Sequence, residues 1–253
     1  MEPTSDEYDQ RQCAILNSLE GNLAGYDCPI CRNKGIVNYV EDGYIQSRDC
    51  ECMAIRRDLY RVKASGLQNL LEEYTFDTFQ AKELWQQNLL RGAQAFLRDH
   101  NRKWFFIGGQ VGVGKTHLCT AIVAQFLKEG VGARYMLWKD ETTRLKAVVN
   151  DSEAYARLIS PLKTVPVLYI DDLFKTPVDE FGNKKPPTQG DINIAFEVLN
   201  YRYNNDCVTI LSSERVMDEI LACDEAVGSR VYQRTKEYCF NLGQDRNKNY
   251  RLR

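Results

Sequence analysis

The 253-residue sequence predicts an α/β fold in which a parallel, doubly wound sheet follows a small N-terminal metal module and a linker helix. Three observations predict it. Short apolar runs alternate with helical stretches from residue 82 onward, two of those runs end in residues suited to phosphate and metal, and two close cysteine pairs stand before residue 53.

The cysteines come first in the chain. Cys28-Pro-Ile-Cys31 is followed, after an 18-residue spacer, by Cys50-Glu-Cys52. Each short pair can turn two thiolates toward one point, and two such pairs supply the tetrahedral sulfur shell of a closed Zn²⁺ site. The spacer carries Gly35-Ile36-Val37 and Tyr44-Ile45 around Glu41-Asp42-Gly43, which reads as two short strands and a turn, and so as a zinc ribbon. With no open coordination position, the metal has a structural role. The alternative is four buried cysteines without a metal. The remaining five of nine have no partner at ligand spacing, and Cys119, Cys207 and Cys239 fall in apolar stretches that suit a core.

A helical run over residues 53–63 then carries Arg56, Arg57, Arg61 and Lys63, continued at helical spacing by Leu67, Leu70 and Leu71. It is either a solvated connection or a contact with a partner or nucleic acid. Tyr74-Thr75-Phe76-Asp77-Thr78-Phe79 breaks the pattern, dividing the chain into an N-terminal module, 1–73, and a larger domain, 74–253. An amphipathic helix over residues 82–99 opens the second part.

The buried-strand pattern of residues 104–107 runs into Gly109-Gln110-Val111-Gly112-Val113-Gly114-Lys115-Thr116 and then His117 and a helix to about Lys128. Strand, loop and helix form the full context of a phosphate loop. Its glycines let amides curl round the phosphates, Lys115 neutralises the β- and γ-phosphates, and Thr116 gives its hydroxyl to Mg²⁺. The apolar run at residues 165–170 ends in Asp171-Asp172, where strands of an open α/β sheet meet their ligand. Asp171 suits the Mg²⁺ shell and Asp172 the attacking water. Further strands read over residues 134–138, 207–213 and 238–242. The polar end Ser212-Ser213-Glu214 either senses the nucleotide or caps a helix. The segment 175–191, with Pro177, Gly182, Pro186, Pro187 and Gly190, has the length of a functional or mobile loop.

Charge is unevenly spread. The chain has 33 Lys+Arg and 35 Asp+Glu, a net −2, which excludes a surface coated in positive charge for nucleic acid. Residues 230–253, however, hold seven basic and two acidic residues. An arginine supplied by a neighbouring subunit can serve as a finger on a transferring phosphate, so the concentration points to assembly. No apolar run approaches the roughly 20 residues of a membrane span, and the acidic start lacks the regions of a signal peptide, so a cytoplasmic location with no membrane partner is expected.

In order and spacing these motifs, together with Gly228-Ser-Arg230-Val and Asn249-Tyr-Arg251, resemble the DnaC/DnaI-type replicative helicase loaders, AAA+ P-loop ATPases that include phage-encoded members and are related to the IstB transposition helpers. The resemblance implies that Lys115 and Thr116 are the Walker A lysine and hydroxyl, and Asp171 and Asp172 the Walker B acids. It also implies that Arg230 is the arginine finger, with Arg234 one turn on as its substitute, and that Arg251 is the sensor 2 arginine. Sensor 1 departs from the family, which often has Asn where Glu214 stands, leaving Ser213 or Glu214 for the contact. The same resemblance assigns a DNA contact to Lys146, beside Arg144 on the helix of residues 140–150, with an ordinary exposed helix face as the alternative. Lys175, on the long segment, would face DNA or a neighbour. The implied function is ATP-dependent loading of a hexameric replicative helicase onto single-stranded DNA by an ATP-assembled oligomer or spiral, with slow, DNA-stimulated hydrolysis driving release. The alternatives are an IstB-like helper of DNA transposition and an ATP-binding assembly switch with little turnover.

Overall fold

The computed structural model describes residues 5–62, 68–243 and 245–250. The N-terminal part begins with α1 (Ser5–Ser18), a helix with no clear apolar stripe in its sequence. The cysteine spacer forms the antiparallel hairpin β1 (Ile36–Glu41) and β2 (Tyr44–Asp49), turning at Asp42-Gly43, both with positive φ. Asn17 locks α1 to β1 by accepting from the Asn38 amide at 2.9 Å and donating to its carbonyl at 2.8 Å. The hairpin leads into α2 (Cys52–Val62), which runs beside an edge of the main sheet, and α3 (Gln68–Glu73) follows.

The larger part is a five-stranded, all-parallel sheet. Its strands are β3 (Phe105–Gly109), β4 (Ala133–Leu137), β5 (Val167–Asp171), β6 (Val208–Ser213) and β7 (Cys239–Leu242), in the spatial order β4-β5-β6-β3-β7. Between them lie α5 (Lys115–Lys128), α6 (Trp138–Ala147), α7 (Ser152–Thr164), α8 (Gln189–Asn204), α9 (Met217–Cys223) and α10 (Glu225–Thr235), with α4 (Leu84–Arg98) leading in. This is the doubly wound sheet expected from the alternating pattern.

Alternation within each strand feeds two cores. Phe106, Leu168, Ile170 and Leu211 face α7 to α10, while Phe105, Ile107, Val167, Tyr169 and Ile210 face α4 and α5. With both faces covered the strands read as unbroken apolar runs, and each fully buried large side chain contributes about 1.5–3 kcal/mol. One face also contains a charge. Arg202 of α8 is fully buried and donates to the carbonyls of Leu162, Val165, Pro166 and Val208 and to the Thr209 hydroxyl, tying the end of α7 to the starts of β5 and β6. Its desolvation pushes the guanidinium down to about 10.

Two of the three cysteines expected in the core sit nearer the surface. Cys119 is fully buried, but Cys207 and Cys239 are half-buried, because each stands at the start of a strand or just before it, at the rim of the sheet. The helix that Ser212 or Ser213 would cap under the alternative reading starts only at Met217. The serines point inward instead of capping it, and the Glu219 side chain caps α9 by accepting from the Val216 amide at 2.8 Å. No helix among the described residues is long and apolar enough to cross a membrane.

Candidate functional site

The sheet order decides which strand ends meet. β3 lies between β6 and β7, so its loop faces the end of β6 directly, and β5 stands one strand further on. Gly109 needs to be glycine, since a Cβ there would lie 2.0 Å from the Leu242 carbonyl oxygen of β7. Gly114, at φ +87°, begins α5 with its amides turned toward the loop. A cavity of about 630 Å³ opens there, bounded by Val111, Gly112, Lys115, Thr116, Asp172 and Glu214 among others.

Lys115 is buried and folds back on its own loop, donating to the Gly109 and Gln110 carbonyls at 2.8 and 2.7 Å. Burial lowers its pKa, an effect that Asp172, Glu214 and Asp171 oppose. The ammonium is therefore held but poorly solvated. Thr116, next in α5, borders the same cavity.

The two acids have different settings. Asp171 is 6% exposed, and its oxygens accept from the hydroxyls of Ser212 and of Tyr135, the latter at 3.1 Å. Asp172 lies on the cavity wall. Its φ of +58°, followed by +56° at Phe174, folds the chain sharply after β5. Such non-glycine conformations cost about 1–3 kcal/mol each and persist where neighbours over-determine them. Here Ser212 accepts from the Asp172 amide at 3.1 Å, the Ser212 carbonyl accepts from Leu173 at 2.9 Å, and Phe174 is buried edge-on against Trp138.

The other wall is aromatic. Tyr74 stacks on His117 with ring centroids 4.6 Å apart, and Phe79 meets the same imidazole edge-on at 5.3 Å. His117 is pushed below its ordinary pKa by burial, and its neutral Nε2–H donates to the Thr75 carbonyl at 2.8 Å. Residues 74–79, a boundary by sequence pattern, thus line the cavity wall through Tyr74, Thr78 and Phe79. The available signal was local, three aromatics among six residues, Tyr74, Phe76 and Phe79. Tyr250 closes the cavity from the C-terminal side, donating its amide to the Gly112 carbonyl at 2.9 Å and its hydroxyl to that of Gln80 at 2.6 Å.

Not every residue singled out in the sequence reaches this place. Gln110 pairs with the Asp245 backbone, strapping the loop to the C-terminal segment, and Val113 is buried beneath the loop. Ser213 is fully buried, donating to the Leu173 carbonyl at 2.7 Å and accepting from the Arg215 amide at 3.0 Å, so Glu214 is the residue of that pair on the cavity. Lys175, expected to face DNA or a neighbour, turns into the cavity instead, because the bend after β5 brings it back to Asp172 at 2.6 Å and across to Glu214 at 2.9 Å. Lys146 is engaged at the cap of α8, 2.6 Å from Asp191, while Arg144 is exposed and paired to Glu141 at 3.1 Å. Arg230 lies on α10 away from the cavity, bonded to Asn200 at 2.9 Å and 4.9 Å above the Phe196 ring; Arg234 is held by Asp206 at 2.7 Å. Arg251 lies outside the described residues.

A second cluster stands in the N-terminal module. The sulfurs of Cys28, Cys31, Cys50 and Cys52 are buried and all within 4.8 Å of one another, with Cys28–Cys50 at 3.7 Å and Cys31–Cys52 at 3.4 Å. A tetrahedron with metal–sulfur bonds of about 2.3 Å has edges near 3.8 Å, so the donor set fits Zn²⁺. Burial pushes the Cys52 thiol up to about 12, so deprotonation of all four thiols, as Zn²⁺ binding requires, depends on the cation itself. Arg56 clamps the first knuckle, donating to the Ala24 and Tyr26 carbonyls and to Asn33 Oδ1 at 2.6, 2.7 and 2.8 Å, which makes this one of the basic residues of α2 a structural piece.

A strand–phosphate loop–helix unit with paired acids on a parallel sheet is the architecture of a nucleotide-binding domain. The family model of IstB-like ATP binding proteins matches residues 46–253. The chain belongs to that family. This IstB-like chain is 30% identical to the uncharacterized protein YqaM of Bacillus subtilis over an alignment of 295 positions, covering 97% of this chain and 92% of that one. It is also 30% identical to the phage-like element PBSX protein XkdC of the same organism, over 87% of this chain and 83% of the relative. Among solved structures, the DnaC helicase loader superposes with a TM-score of 0.54 at 24% identity, over 69% of this chain and 98% of that one. The IstB-like sheet is thus an AAA+ fold of the DnaC kind, as the sequence motifs implied, and the XkdC likeness agrees with the phage-encoded members of the family.

Proposed function

We propose that the protein is an ATP-dependent helicase loader. The observation that carries the reading is the pairing of a four-sulfur module with an AAA+ nucleotide cavity whose charged wall holds Lys115, Thr116 and Asp172. ATP would set its base against Tyr74 and His117 and its phosphates on the loop amides. Thr116 and the β5 acids would hold Mg²⁺, which neutralises charge on the phosphates. Lys115 would leave its loop carbonyls for the β- and γ-phosphates, and Asp172 would orient the attacking water. Assembly into an oligomer would bring an arginine from a neighbour, with Arg230 the candidate, and slow hydrolysis would end the grip on single-stranded DNA. The N-terminal module, 1–73 by the break in sequence pattern at Tyr74–Phe79, is the part proposed to engage a hexameric replicative helicase.

The family model's IstB-like description supports a second reading, an ATPase helper of DNA transposition. Co-purification from the native cell or phage-infected host separates the two. Recovery of a hexameric helicase that depends on residues 1–73 is the expected result, and a transposase in its place selects the second reading.

A further inference from the structure

Resting on the nucleotide reading above, the inference concerns how the cavity tells ATP from ADP. A carboxylate beside a γ-phosphate is repulsive, and Glu214 borders the cavity together with Lys115 and Thr116. Lys175 resolves the conflict. Its Nζ lies 2.6 Å from Asp172 Oδ2 and 2.9 Å from Glu214 Oε1, bridging the first residue of the bend after β5 to the end of β6.

The placement is built. The Lys175 amide donates to the Asp172 carbonyl at 2.9 Å, Leu173 is bonded to Ser212, and the Phe174 carbonyl accepts from Arg215 Nε at 3.1 Å, so the turn is fixed on both sides. Although desolvation opposes it, the bonds to Asp172 and Glu214 raise the Lys175 pKa, and the bridge stays cationic at neutral pH. It also occupies Asp172, the carboxylate that the proposed reaction needs for water.

We propose that Lys175 is a positioning residue that reads the γ-phosphate. In the observed bridge it neutralises Glu214 and holds Asp172. A γ-phosphate competes with both carboxylates for the ammonium, drawing Lys175 over and releasing Asp172. ADP offers no such competitor, so the bridge stays closed. ATP binding and readiness for hydrolysis are coupled within one subunit, before any neighbour contributes.

The test is calorimetric binding of ADP and of a non-hydrolysable ATP analogue to the 253-residue chain, as wild type, Lys175→Met, Lys175→Arg and the double variant Lys175→Met/Glu214→Gln. Lys175→Met is expected to weaken the analogue about tenfold and ADP less than twofold, a loss the size of one charged hydrogen bond. Lys175→Arg should keep most of the discrimination. Adding Glu214→Gln to Lys175→Met should recover most of the loss by removing the exposed repulsion. Equal weakening of both nucleotides, or no recovery in the double variant, overturns the inference alone. A wild-type chain that binds neither nucleotide overturns the nucleotide reading and this inference with it.

Discussion

Lys115 shows what a single residue costs and supplies. Its ammonium is buried with two carbonyls for company, and burial lowers its pKa. A lysine whose folded pKa falls below its unfolded value destabilises the chain wherever it is charged, a cost present at neutral pH and relieved as pH rises through the folded pKa. Lys115→Met should therefore raise the melting temperature of the nucleotide-free protein by about 3 °C while abolishing nucleotide binding. Thermal scans with and without an ATP analogue check both halves, and a lower melting temperature would show that the lost carbonyl bonds outweigh the relieved desolvation. The placement of Lys115, Thr116 and the β5 acids at one end of the sheet was legible because a phosphate loop and a strand-end acid pair are written in consecutive residues. Tyr74 and Lys175 were not, since each meets a partner about 40 positions away in the chain.

At the scale of elements, the hairpin β1–β2 is too small to stand on its own core. Its four sulfurs come together at one end, and Arg56 and Asn33 brace the first knuckle. Zinc would supply the missing stability. Purified protein should carry about one zinc ion per chain, measured by atomic absorption, and chelation should open the hairpin while leaving the five-stranded sheet folded. Loss of β1–β2 amide protection alone in hydrogen exchange is the expected signature; protection unchanged after complete metal removal would make the cluster a plain thiol core. The cysteine spacing foretold this element, and the alternating apolar runs foretold the sheet. Helix α1 was missed because its 14 residues carry no clear apolar stripe. Arg202 was equally hidden, since nothing local distinguishes a surface arginine from one whose partners are the carbonyls at the ends of three other segments.

For the whole molecule the open question is what completes the cavity. Charge is concentrated in residues 230–253, yet Arg230 is bonded to Asn200 and stacked on Phe196, on a helix away from the cavity of its own chain. An arginine so held reaches phosphate in a neighbouring copy or not at all. Arg230→Ala should leave ATP affinity unchanged and remove the rise in turnover per subunit with protein concentration, followed by phosphate release over a dilution series. Turnover independent of concentration in the wild type would argue for a site complete within one chain.

The sequence by itself determined the ligand chemistry: a phosphate loop, two acids at a strand end and four cysteines at metal spacing, each set by residues close in the chain. Tertiary structure decided which groups face the ligand. The order β4-β5-β6-β3-β7 inserts β6 between the acids and the phosphate loop, turning Ser213 inward and leaving Glu214 on the wall. The left-handed bend after β5 then returns Lys175 to both carboxylates. The reason is physical: local spacing specifies what a group can bind, whereas burial and charge pairing depend on neighbours that only the packed sheet brings within a few ångströms.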